Sequence, residues 1–210
     1  MESPIKVYVV GDATEYVNFI NNAVICKKLS DAQIVLFTGG EDVSPSLYGC
    51  TPHPTTHSNL QRDLREKEIF EKVSPNQLCV GVCRGSQFLC VMNGGLLVQD
   101  VGYHGVFGTH AIYNEVNQFE ITSTHHQMQY PYNLLSEDYE VLYRSSESDH
   151  YDGNNIDPRV IQRRGEPEIV LYHVQGKPKC LAIQGHPEIM PNDCGVVLEI
   201  NKIINSLINE

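Results

Sequence analysis

Residues 78–87 read L-C-V-G-V-C-R-G-S-Q: an apolar run, then Cys83 with a glycine two positions to either side. A G-x-C-x-G sequence between a buried strand and a helical run has the form of a nucleophile elbow, with thiol in place of hydroxyl. At so sharp a turn the backbone is strained, and side chains at Gly81 and Gly85 would collide. The run after the turn places Phe88, Leu89, Val91 and Met92 inward and stops at Gly94-Gly95, which predicts a helix over 84–93. Orphan N–H groups and the helix dipole then favour a thiolate at Cys83, and the Arg84 N–H points where an oxyanion would form. Cys79, inside the strand, gains none of this.

Working outward, short apolar runs alternate with helix-length amphipathic ones. Ile5–Val10 and residues 33–38 read as strands, the second running straight into Gly39-Gly40. Between them, residues 15–29 place Val17, Ile20, Val24, Ile25 and Leu29 at helical spacing. Residues 60–73 are charged and periodic, with Leu64, Ile69, Phe70 and Val73 expected inward and Ser58 with Gln61 as a capping box. Buried strands separated by helices imply a parallel sheet covered on both faces. Farther on, residues 119–124, 139–144, 168–175 and 180–184 read as strands with little helix between them, and Gly195–Ile208 as a closing helix. The expected fold is therefore α/β: a flavodoxin-like, mostly parallel central sheet with helices on both faces and a smaller mixed or antiparallel extension.

The whole chain of 210 residues is expected to form a single domain. A net charge of −11 disfavours nucleic acid and anionic membranes as partners. The first ten residues lack a signal peptide's basic start and apolar stretch, and no segment approaches the ~20 apolar residues of a membrane span. The cysteines number seven, with no C-x-x-C pair, so a disulfide framework or zinc ribbon is not expected and a cytoplasmic location is the default.

A nucleophilic cysteine needs a base, and the base an orienting group. Residues 180–184 end in Gly185-His186-Pro187-Glu188. His186 is thus delivered at the C-terminal edge of a strand, the edge on which Cys83 sits in a parallel sheet, with Glu188 near enough to reach its other nitrogen. His125 and His126 do not read as a metal pair, since adjacent residues on an extended segment point to opposite faces. His104 and His110 read as loop residues or pocket lining. No metal and no cofactor are expected.

G-V-C-R-G-S-Q together with G-H-P-E resembles the class I glutamine amidotransferase superfamily. Residues 38–49, T-G-G-E-D-V-S-P-S-L-Y-G, are similar to a segment of its γ-glutamyl hydrolase-like branch (peptidase C26), which includes γ-glutamyl-γ-aminobutyrate hydrolases. Residues 94–100 and the S-T-H-H-Q of 123–127 resemble that branch too. The resemblance implies Cys83 as nucleophile, His186 as base and Glu188 as its orienter. Gly40 and Arg84 would supply the oxyanion hole, and Gln87 with Ser123, Thr124 and His125 would hold the glutamyl group. It implies hydrolysis of a γ-glutamyl amide through a glutamyl thioester, on a small-molecule substrate. Two alternatives stand beside it: a glutaminase subunit handing ammonia to a separate synthetase partner, and a non-catalytic redox-sensing or chaperone-like relative. Residues 102–114 look short for the acceptor-side loop expected of the branch.

Overall fold

The structure is a computed structural model that describes residues 3–11, 13–105 and 108–209. Its strands are β1 (Ile5–Val10), β2 (Ala23–Ile25), β3 (Ile34–Phe37), β4 (Leu78–Val82), β5 (Leu96–Val98), β6 (Asp100–Val101), β7 (Gly108–Tyr113), β8 (Gln118–Ser123), β9 (Met128–Tyr130), β10 (Tyr139–Ser145), β11 (Tyr151–Asp152), β12 (Glu166–Tyr172) and β13 (Cys180–Ile183). The helices are α1 (Leu60–Phe70), α2 (Arg84–Met92), α3 (Pro158–Arg164) and α4 (Gly195–Ile208).

Nine strands form one sheet in the order β2-β1-β3-β4-β13-β12-β10-β7-β8. The first five are parallel, in the flavodoxin-like order, and the last four are antiparallel to their neighbours. β3 shows why the core strands are apolar throughout. Ile34 and Leu36 pack with Val196, Val197, Ile200 and Ile204 of α4. Val35 and Phe37 pack on the other face with Phe70 of α1 and Phe88 and Leu89 of α2. Each side chain of a strand enclosed between two helical layers meets apolar neighbours, so the period-2 polar alternation disappears. Among the described residues, no helix is long and apolar enough to cross a membrane.

Three local expectations are corrected. Residues 15–29 do not form a helix; the segment makes a short 3-10 helix at Thr14–Phe19, then β2, then another 3-10 turn at Leu29–Asp31. Asn22 has φ +57°, a left-handed conformation that ends any right-handed helix, and the β-branched residues after it pair with β1 instead. The stretch expected at the acceptor-side loop, residues 102–114, is partly strand, since Gly108–Tyr113 is β7, paired with β8 over its full length. In α1 the N-cap is Asn59, which accepts from the Arg62 N–H, and Leu64 is 48% exposed while Asp63 and Glu66 are buried.

Arg84 explains that inversion. Its side chain is 1% exposed, and its two terminal nitrogens donate to Asp63 Oδ1 and Glu66 Oε2. Asp63 Oδ2 also accepts from the Ser44 N–H at 2.8 Å, and Glu66 Oε1 from Arg62 Nε at 2.7 Å. The apolar face that helical spacing assigns to α1 is turned aside because one guanidinium at the start of α2 requires two carboxylates. Replacing Arg84 by methionine leaves both buried carboxylates without their main partner, an expected loss of about 3–5 kcal/mol. For a chain of this length that is a Tm lowered by roughly 6–20 °C in thermal unfolding. A change of a degree or two would mean that Arg62 and Ser44 suffice to hold them.

Candidate active site

The elbow forms as the glycines require. Cys83 sits between β4 and α2 with φ +52° and ψ −112°, a strained conformation for a non-glycine residue. A Cβ on Gly81 would run into the backbone of Gly85, and one on Gly85 into the Phe37 carbonyl. The N–H groups of Ser86 and Gln87 bond to the Cys83 carbonyl, so the thiol emerges over the first turn of α2.

β4 and β13 are parallel neighbours in register from Cys79↔Cys180 to Val82↔Ile183, and the Cys83 N–H bonds the Ile183 carbonyl at 2.8 Å. The chain leaving β13 therefore passes Cys83 on the same sheet edge. His186 lies near enough to the Cys83 thiol for the two to couple electrostatically, and its Nδ1 donates to Glu188 Oε1 at 2.7 Å. Burial pushes the imidazole down, but the contacts with Cys83 and Glu188 outweigh it and hold His186 up at about 10. The backbone of His186 is pinned by one hydroxyl. Thr122 Oγ1, on β8, accepts from the His186 N–H at 2.9 Å and donates to its carbonyl at 3.0 Å. Tyr16 lies 6.3 Å from the imidazole, centroid to centroid, and burial together with the charge of Glu188 pushes its hydroxyl up to about 12.

The Gly39–Gly40 peptide divides two cavities. Arg62 donates to the Gly39 carbonyl at 2.9 Å, on the side of a cleft of about 660 Å³ that both residues line. A trans peptide directs its N–H opposite to its carbonyl. Gly40 lines the second cavity, of about 190 Å³, together with Cys83 and Arg84. With φ +132° and Arg62 where its Cβ would be, Gly40 admits no side chain. Arg62 was not singled out by its sequence; its role depends on an approach across the fold that no local pattern encodes.

Of the residues expected around the glutamyl group, Gln87, Thr124 and His125 line the smaller cavity, as do Asp42, His126 and Gln127. Gln87 Nε2 donates to the Gln127 carbonyl at 2.8 Å, leaving Gln87 Oε1 and Gln127 Oε1 buried and unpaired. Asp42 holds His126 Nε2 at 3.0 Å and the His57 N–H at 2.7 Å. The Ser123 and His125 side chains turn the other way. Ser123 Oγ donates to the His104 carbonyl at 2.8 Å, and the His125 ring is 1% exposed. The two adjacent histidines do diverge as an extended segment requires. His104 is a loop residue as expected, whereas His110 lies within β7. Both are buried with His125 against Glu168. Burial pushes the His125 ring down to about 3, and it pushes Glu168 up, but the three histidines outweigh that and hold its carboxyl below the usual range.

A parallel sheet bearing a cysteine elbow beside a histidine–glutamate pair defines a protein of the class I glutamine amidotransferase type. The chain belongs to the peptidase C26 family, whose profile matches residues 16–141. Protein NtpR of Enterococcus hirae is 30% identical over 161 residues, which cover 74% of this chain and 66% of that protein. The YvdE homolog of Lactococcus lactis subsp. cremoris, named for its likeness to glutamine amidotransferases, is 41% identical over 69 residues, 32% of this chain and 37% of the relative. The matches thus span less than two thirds of these relatives. The crystal structure of a glutamine amidotransferase from Thermotoga maritima superposes with a TM-score of 0.57 at 13% identity, covering 99% of this chain and 96% of that one. At that identity the likeness is one of fold.

Proposed function

We propose that the protein acts as one domain that hydrolyses a γ-glutamyl amide by covalent catalysis. The observation that carries this reading is the strained Cys83 thiol beside an imidazole whose far nitrogen is held by Glu188. His186, held protonated beside Cys83 and Glu188, carries the thiol's proton while sulfur attacks the γ-carbonyl, and the oxyanion is met by the N–H groups of Gly40 and Arg84, each such donor being worth about 2.7–4 kcal/mol. The C–N bond breaks as His186 passes its proton to the leaving amine. Water, deprotonated by the same imidazole, then cleaves the thioester and releases glutamate and the restored thiol. Glu188 holds the ring in the tautomer that faces sulfur and stabilises the imidazolium.

The cavity supports an amino-acid-sized acyl group. At about 190 Å³ it is smaller than the roughly 300–1,000 Å³ of pockets for larger ligands. Its unpaired acceptors, Gln87 Oε1 and Gln127 Oε1, with the Asp42 carboxylate on the same wall, suit the α-ammonium of a glutamyl group. Thr124 and His125 stand at the same wall, whereas Ser123 does not line the cavity.

One observation favours a second reading, the glutaminase that passes ammonia to a separate synthetase: residues 108–113 are spent on β7 rather than on a loop that would bind the leaving amine. The experiment is direct. Purified protein is incubated with glutamine and with γ-glutamyl amides of small amines, and glutamate is measured. Unaided turnover in the ordinary range of about 1–10³ s⁻¹ is expected. Silence on every such amide, with glutamine hydrolysis appearing when a synthetase is added, overturns the hydrolase in favour of the partner-dependent enzyme.

A further inference from the structure

Behind the wall of residues 123–127, four chain segments deliver histidines and a carboxylate to one buried point. His104 comes from the loop after β6, His110 from β7, His125 from the segment after β8 and Glu168 from β12. Glu168 Oε1 lies 3.2 Å from His110 Nε2, 3.8 Å from His104 Nδ1 and 4.0 Å from His125 Nε2. The rings crowd together, with centroids 4.6 Å apart for His104 and His125 and 4.7 Å for His104 and His110.

A hydrogen-bonded polar core would use these short distances; this one does not. His110 Nδ1 and Nε2, His125 Nε2 and both oxygens of Glu168 have no hydrogen-bond partner although all are buried. Orphaned buried polar atoms are costly, and five at one point call for a ligand. The outer contacts fix where the lone pairs point. His125 Nδ1 donates to the Gln127 carbonyl at 2.9 Å, so its Nε2 is the bare nitrogen. His104 Nε2 donates to Glu166 Oε2 at 3.1 Å; its Nδ1 lies 3.3 Å from Ser123 Oγ, whose proton goes to the His104 carbonyl at 2.8 Å, so the Nδ1 lone pair receives none. Glu166 is itself held by the Tyr151 hydroxyl at 2.7 Å and by the Glu147 and Ser148 N–H groups at 2.9 and 2.8 Å. A histidine whose far N–H is fixed by a carboxylate or a backbone carbonyl is the outer-shell pattern of metal-bound imidazole.

We propose that His104 Nδ1, His110 Nε2 and the Glu168 carboxylate bind one divalent transition-metal ion of the zinc type, with His125 Nε2 beside the site. Two imidazole nitrogens and a carboxylate, all buried, are donors that suit Zn²⁺. Ligands about 2.0–2.1 Å from a tetrahedral ion stand about 3.3 Å from one another, so the separations from Glu168 Oε1 close on it by less than 1 Å. The role is structural. The three side chains are buried, which keeps substrate away from the ion, and the ion ties β7 and the loop after β6 to β12. The proposal does not depend on which amide the active site cleaves.

The test uses the full chain carrying Cys83→Ala, so that the active-site thiol cannot supply a ligand. Metal is stripped with a chelator, and Co²⁺ or Zn²⁺ alone is added back. One equivalent of Co²⁺ is expected to give the intense visible d–d bands of four-coordination, without the near-ultraviolet charge transfer of a thiolate ligand. Zn²⁺ at a hundredfold excess over its Kd is expected to raise Tm by roughly 5–10 °C. His110→Gln and Glu168→Gln should each abolish both signals, while His150→Gln, at an exposed pair with Asp149, should keep them. If the variants do not fold, the stoichiometry and spectrum of the parent still decide. An unchanged Tm with no stoichiometric Co²⁺ spectrum overturns the proposal and leaves the cluster a proton-sharing network. So does metal binding that persists in folded His110→Gln.

Discussion

Cys83→Ala is expected to abolish amide cleavage, with kcat falling by about 10⁶-fold, as when the nucleophile of a catalytic triad is removed. Cys79→Ala should keep most of the activity. The two cysteines lie four positions apart on one strand and its elbow, yet their settings are opposed. Cys79 is fully buried, and burial together with the neighbouring Cys180 pushes its thiol well above the usual range. Cys83 lines a cavity and stands beside His186. An electrophilic glutamine analogue should add a single mass increment, on the peptide that carries Cys83. Equal losses in the two variants, with unchanged circular dichroism, would remove Cys83 from its proposed role.

The second large effect is expected at Glu188. Glu188→Gln keeps the shape but presents an amide to the imidazole, and the wrong tautomer then faces sulfur; kcat should drop by about 10⁴-fold at nearly constant KM. The carboxylate holds His186 Nδ1 at 2.7 Å through one oxygen, and among the described residues no other carboxylate pairs with the ring. Steady-state kinetics and thermal unfolding together check this. A loss of less than tenfold in a stable variant would assign the orientation of His186 to other contacts, Thr122 foremost.

How much of the molecule was legible in its sequence depends on the range over which each feature is encoded. β4, the elbow and α2 are written in adjacent residues. The nearness of Cys83, His186 and Glu188 needs one further rule, that parallel strands share an edge. Features invisible to local pattern are set by partners far along the chain. The polar face of α1 is buried because Arg84 lies beneath it. The first crossover is no helix because Asn22 takes a left-handed turn and β1 captures Ala23–Ile25 as its neighbouring strand. Ser123 and His125 carry a motif that points at the substrate, yet their side chains belong to a cluster gathered from four segments.

The backbone of Cys83 bears on how this chain can vary over evolutionary time. Holding a non-glycine residue at φ +52° costs of order 1–3 kcal/mol, drawn from the roughly 5–15 kcal/mol that separates a folded domain from its unfolded ensemble. The strain cannot be relaxed by drift, because glycine, the residue that would relieve it, carries no thiol. A typical random substitution removes about 1 kcal/mol more, so the chain tolerates one to three fewer of them than an unstrained sequence of the same core would. Neutral divergence is therefore steered toward positions where replacement costs nothing, and stabilising changes elsewhere become the precondition for exploring new specificity around the nucleophile.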